Sequence, residues 1–229
     1  FGQVSLTAVK RAILSKVSRE LRDDAIISIA DHTASRMGFE FALSEDADFI
    51  DGDATSTYHG EMGLKNAIGA GGVSTAATGH DTWPELDMAD FTACMGKLPS
   101  KYATMTAWVC SANFYYSTML RVQAAGGGNT IASLQGGDGG RPLFLGKPVY
   151  FTDYMPTTTS AATVCTFYGN FGDAVMIGNR QDFEFAMSDQ RYFAEDLIGL
   201  RGITRFDINV HEPGDASNAG AYVALKTAA

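Results

Sequence analysis

From Leu21 to Phe41 every fourth residue is apolar or small: Leu21, Ala25, Ile29, Thr33, Met37 and Phe41, with Ile26, Ala30 and Ala34 alongside. That spacing gathers the side chains on one face and predicts a helix with a broad buried stripe. Ser18 is placed to cap it, and Glu20, Asp23 and Asp24 lie by its positive end. The pattern stops near Asp51-Gly52, where glycine suits a left-handed cap. About 30 residues at ~1.5 Å each predict one unbroken rod roughly 45 Å long. Such a rod needs a sheet or neighbours along its length to bury the stripe.

Other stretches follow different periods. Residues 4–17, VSLTAVKRAILSKV, mix β-branched and apolar types and read as a strand. A loop rich in Gly, Ser and Thr follows Asp51. Trp83-Pro84 opens a second predicted helix that carries Leu86, Ala89, Ala93 and Leu98 and stops before Pro99. Residues 102–110 read as a strand, Ser111 as the cap of a third helix, 126–140 as a glycine-rich loop and 143–152 as another strand. Short strands are expected at VCTFYGN, AVMIGNR and DFEFAMS. From Ile198 to Val210 the alternation is clear: Ile198, Leu200, Phe206, Ile208 and Val210 share one parity, Arg201, Arg205, Asp207 and Asn209 the other. That predicts a strand with one buried and one wet face. GAYVALK is a closing strand. The order makes the fold class α+β with a central insertion.

Composition narrows the function. The chain has 229 residues, 45% of them hydrophobic, enough for a real core. A formal net charge of -9 argues against direct nucleic-acid readout. The three cysteines, Cys94, Cys110 and Cys165, are far apart and form no CxxC pair, so a reducing compartment is expected. No apolar run approaches the ~20 residues of a membrane span, and no signal-peptide pattern opens the chain. The start on Phe1 implies processing or a fragment.

Candidate chemistry falls away motif by motif. Gly140 to Gly146-Lys147 has one residue too many for a phosphate-binding loop, and Pro148 stands where a hydroxyl is needed. Asp48, Asp51 and Asp53 lack calcium-loop spacing. GGVSTA, with Ser74, lacks the strand and helix flanks of a nucleophile elbow, although His80 and Asp81 are near in sequence. His211-Glu212 begins a zinc motif that Pro213 interrupts, and His32, His59, His80 and His211 do not pair at ligand spacing. Arg201 and Arg205 suit salt bridges at a surface or between subunits. No catalytic, cofactor-binding or metal residue is assigned, and none is expected; the chain reads as structural.

Four stretches, in order, resemble the major capsid proteins of tailed bacteriophages with the HK97 fold. VSRELRDDA with FEFALSEDADFIDGDATSTYHGEMGL is similar to the family's spine helix and following NGDG turn, with Asp51 where Asn and Ala54 where Gly often stand. LPSKYATMTAWVCS resembles the strand and helix entry LP…Y…WVMN, and LFLGKPVYFTDYMP resembles LLGYPVVVSDDMP. GNFGDAVMIGNRQDFEF through RYFAEDLIGLRGITRFDINVHEP resembles the FGDFS…YVIVDR segment and terminal strand. The resemblance implies a spine helix on a sheet, with 1–80 and 172–229 as a peripheral domain and 81–171 as an inserted mixed α/β axial domain. It implies a non-enzymatic subunit that assembles with copies of itself into pentamers and hexamers around double-stranded DNA, without sequence-specific contact and without membrane. Its place would be the virion, and the host cytoplasm during assembly. The family's N-terminal arm and extended loop precede the first strand here. An encapsulin-type nanocompartment shell holding cargo enzymes is the alternative; a hydrolase acting through Ser74 is the competing class.

Overall fold

A computed structural model describes residues 5–125 and 141–229. The glycine-rich loop expected at 126–140 lies outside the described residues, as does Val4, the first residue of the strand expected at 4–17; that strand begins only at Val9.

Two sheets organise the chain. The first has three antiparallel strands: β1 (Val9–Ser18), β8 (Leu197–Val210) and β7 (Val175–Ser188), with β8 in the centre. The alternation in β8 holds at Ile198, Leu200, Phe206 and Ile208, which are buried, and at Arg201, which is exposed; Ile203 departs from it, being buried on the Arg201 parity, and Val210 is only half-buried. AVMIGNR and DFEFAMS, expected as separate strands, form the single β7, with register shifts between Asn179 and Glu184.

The rod is shorter than the stripe suggests, and it is broken. Arg19–Asp24 form a short helix, α1, capped by Ser18, whose hydroxyl accepts from the Leu21 N–H. Ala25 is extended (φ -73°, ψ 130°), and a second helix, α2 (Ile29–Asp51), starts afresh with the Ser28 hydroxyl accepting from the Asp31 N–H. The Ser28 cap competes with continuing the helix, and Ile26 and Ile27 project into solvent. The expected single rod from 18 is therefore corrected to a 23-residue helix, about 35 Å at 1.5 Å per residue. Met37 and Phe41 of α2 pack on β8, where Gly202 leaves room: a Cβ there would lie 3.1 Å from the Phe41 ring and 2.9 Å from Phe183.

The second sheet has the order β2-β9-β6-β3-β5-β4, formed by β2 (Val73–Thr75), β3 (Ala107–Cys110), β4 (Leu143–Phe144), β5 (Lys147–Phe151), β6 (Val164–Gly169) and β9 (Tyr222–Lys226). Its pairs are antiparallel except β2–β9 and β3–β5. The closing strand β9 thus joins this sheet and not the first. One face is covered by α4 (Met88–Lys97) and by α5 at 112–125, which contains a wide turn at Tyr115–Met119. Phe91, Trp108 and Phe144 meet there edge to face, with centroids 4.9–5.9 Å apart. The other face buries Ile50 from the end of α2, Leu64 from α3 (Leu64–Ala67), and Phe167 and Tyr222, with Phe171 and Ala174 of α6 (Phe171–Ala174) against them.

Three local expectations are corrected. Trp83–Glu85 is a separate tight turn, and α4 begins after Asp87, which accepts from the Ala89 and Asp90 N–H groups. The strand expected at 102–110 is reduced to Ala107–Cys110. The strand expected at 143–152 is a hairpin: Leu145 (φ 51°) and Gly146 (φ 72°) both take left-handed backbone between β4 and β5, the conformation two-residue hairpin turns demand. Lys147 therefore opens a strand.

Candidate functional site

In β1 the residues Val9, Arg11, Ile13, Ser15 and Val17 face the same side, opposite Phe206, Thr204, Gly202, Leu200 and Ile198 of β8. That side lies under α2. A cation at the second position is thereby carried into the interior, and the Arg11 side chain is 3% exposed. A buried guanidinium is tolerated only with matched acceptors. The end of α2 supplies Asp48, which Arg11 Nη1 contacts directly, and Ser44, whose Oγ accepts from Nη1 at 3.2 Å. Glu61 Oε1 accepts from Nη2 at 3.3 Å. Below the guanidinium lies the Phe206 ring, 3.7 Å from its central carbon to the centroid.

The chain reaches Glu61 through a tight turn after α2. The Gly63 N–H donates to the Gly52 carbonyl at 2.9 Å, and the Ala54 N–H to the Glu61 carbonyl at 2.8 Å. A Cβ on Gly63 would sit 2.6 Å from the Gly52 nitrogen, so this crossing of backbones requires glycine. Ala54 and His59 take positive φ (61° and 58°) to complete the turn. Glu61 Oε2 then accepts from the Ile208 N–H of β8 at 2.9 Å.

Strand, helix, turn and central strand thus converge on one ion cluster. Burial and the neighbouring Asp207 carboxyl push the Glu61 carboxyl up to about 7, against the pull of Arg11. His59 Nδ1 lies 3.3 Å from Asp48 Oδ2. Chemically the cluster is a clasp: its acceptors are turned onto Arg11 and the β8 backbone, and it fixes the end of α2 on the sheet. Sequence reading missed Arg11, although a charge at an apolar parity position of β1 was the available signal.

The residues weighed from the sequence are dispersed. Asp48 belongs to the clasp, Asp51 pairs with Lys65, and the Asp53 carboxylate accepts from the Thr55 N–H at 3.0 Å, so the three aspartates face different partners. Ser74 is buried inside β2 opposite Leu225 and not at an elbow. Glu212 accepts from the Tyr102 hydroxyl at 2.9 Å. His59 stands beside Asp48 in the clasp, and His80 meets two carboxylates: its Nδ1 lies 2.6 Å from Asp90 Oδ2, with Asp87 beside them. Those three could offer ligand atoms within 4.8 Å of one another. Their geometry is that of a helix cap, since Asp90 accepts from the Ala77 and Asp87 N–H groups and Asp87 from those of Ala89 and Asp90. Among the described residues no helix is long and apolar enough to cross a membrane.

A sequence profile of the phage capsid family matches residues 1–216. The fold is similar to the capsid of a native GTA particle computed with C5 symmetry (TM-score 0.71, 20% identity, covering 99% of this chain and 74% of that one). It is also similar to a chain from Mycobacterium phage Bobi (TM-score 0.69, 21% identity, 98% and 73% covered) and to one from Microbacterium phage Oxtober96 (TM-score 0.67, 14% identity, 97% and 73% covered). A search of curated proteins finds no match.

Proposed function

Because the chain belongs to the phage capsid family, and is a structural subunit of a capsid shell, we propose that its copies form the pentamers and hexamers of an icosahedral particle enclosing double-stranded DNA. The family match over residues 1–216 carries this reading and does not favour the encapsulin alternative. A physical argument supports it. The surface is 12424 Å², against about 10,000 Å² expected for a compact monomer of this mass. The excess is surface that neighbouring copies can cover.

The reading extends to the parts. The three-stranded sheet with α2 forms the peripheral unit, drawn from 1–80 and 172–229. Residues 81–171 form the axial unit, joined by β2 and β9, which pair in its sheet. The subunit is non-enzymatic. With a net charge of -9 it touches packaged DNA without reading its sequence. It assembles in the host cytoplasm and resides in the virion.

Electron microscopy and nuclease treatment of particles from the full-length protein test the proposal. Closed icosahedral shells protecting DNA are expected; a monodisperse compact monomer under all assembly conditions refutes it. DNA retained on opened shells with a steep salt dependence would refute the weak-contact part.

A further inference from the structure

Ile26 is 104% exposed and Ile27 62%, in the break between α1 and α2, and Leu21 on α1 beside them is 52% exposed. Isoleucine is among the residue types proteins most often bury. Two in succession standing clear of the surface form an apolar knuckle. The knuckle is flanked in sequence by Glu20, Asp24 and Asp31, which make no ion pair among the described residues, while Asp23 is paired with Arg22 (2.8 Å) and Arg19 with Asp196 (3.4 Å).

A groove of opposite character lies at the same end. Gly202 faces Phe41, so Leu14, Ala186 and Arg201, of the other parity, line the far side of the sheet. With Arg191 and Tyr192 they line a groove of about 310 Å³, ample for a branched aliphatic side chain. Leu14 is 53% exposed. In this acidic chain, neither Arg191 nor Arg201 pairs with a carboxylate among the described residues. The Arg19 N–H donates to the Asp196 carbonyl at 3.2 Å and Lys16 sits 4.2 Å over the Tyr192 ring, so α1 and the groove are neighbours at one tip. The full exposure of Ile26 shows that it does not enter the groove of its own chain.

We propose that the Ile26–Ile27 knuckle of one copy seats in the Leu14–Tyr192 groove of a second copy, with Asp24 facing Arg191 and Arg201. The inference rests on the shell-subunit reading and names a contact within it. Knuckle and groove are different surfaces, so the contact is head-to-tail. Both sit at one tip, so successive copies turn about an axis near that tip.

The test uses the full-length protein, with sedimentation velocity and electron microscopy measuring the fraction assembled. Ile26→Asp, and the paired reversal Arg191→Asp with Arg201→Asp, are each expected to lower that fraction at least tenfold. Circular dichroism and Tm stay at wild-type values, because these side chains are exposed. Adding Asp24→Lys to the arginine reversals raises the assembled fraction again. The inference is overturned if wild-type shells form and Ile26→Asp assembles equally well, or if the charge exchange restores nothing. Absence of particles from the wild type would instead sink the shell reading.

Discussion

Arg11→Met removes the cation of the clasp while keeping an aliphatic stem over Phe206. Three things are lost: the contact with Asp48, the hydrogen bond to Ser44 (3.2 Å) and that to Glu61 (3.3 Å). The Asp48 and Glu61 side chains, each 2% exposed, are left without their counter-charge. Breaking a buried pair from one side costs about 3–5 kcal/mol. For a chain of this size that is roughly 6–20 °C in Tm. The cost also depends on pH. Burial and the Asp207 carboxyl raise Glu61 from its ordinary 4.5 to about 7 in the folded state. Between those values the folded state holds a proton the unfolded state has released, so stability falls as pH rises across the window and levels off above it. A shift of that size corresponds to roughly 3 kcal/mol. Without Arg11, whose charge pulls the Glu61 value down, the window extends upward and the penalty grows from acid to alkaline pH. Urea unfolding followed by near-UV circular dichroism, for wild type, Arg11→Met, Glu61→Gln and the double variant, measures this. Glu61→Gln is expected to flatten the pH slope, and the double variant to show coupling above about 1 kcal/mol. An Arg11→Met penalty under about 1 kcal/mol, or one equal at pH 5 and pH 8, would refute the clasp.

Two further outcomes rest on geometry elsewhere. Gly202→Ala puts a methyl 2.9 Å from Phe183 and 3.1 Å from Phe41; overpacking of this kind costs about 1–3 kcal/mol, read as a lowered urea midpoint at unchanged slope, and an unaltered midpoint would show that α2 can move off β8 freely. Hydrogen bonding to Asp90 raises the His80 imidazole, so that pair's contribution is fully present below the ordinary histidine value and is lost as pH climbs through the raised one; Asp90→Asn should return the His80 NMR titration towards the ordinary value, and an unmoved titration would contradict the pairing.

The parts of this fold that were legible in sequence are those where one local rule acts alone. β8 alternates because one of its faces is covered, and the helix stripe from Met37 to Phe41 is set by contact with that face. The break at Ala25 was hidden because Leu21, Ala25 and Ile29 keep the four-residue step through it, while Ser28 followed by Asp31 carried the competing start signal. The hairpin at Leu145-Gly146 was obscured because leucine rarely adopts positive φ. The clasp was less accessible still. Arg11, Asp48 and Glu61 are ordinary charged residues far apart in sequence, and only strand register, helix end and the Gly52–Gly63 crossing bring them together.

Cys94, Cys110 and Cys165 are all 0% exposed and unbridged inside the larger core, and burial pushes the thiols of Cys94 and Cys110 up to about 12. A disulfide therefore cannot join adjacent copies while that core is closed. A thiol-directed reagent would react only as fast as the core opens, so the three sulfurs act as an internal clock for breathing of the intact particle.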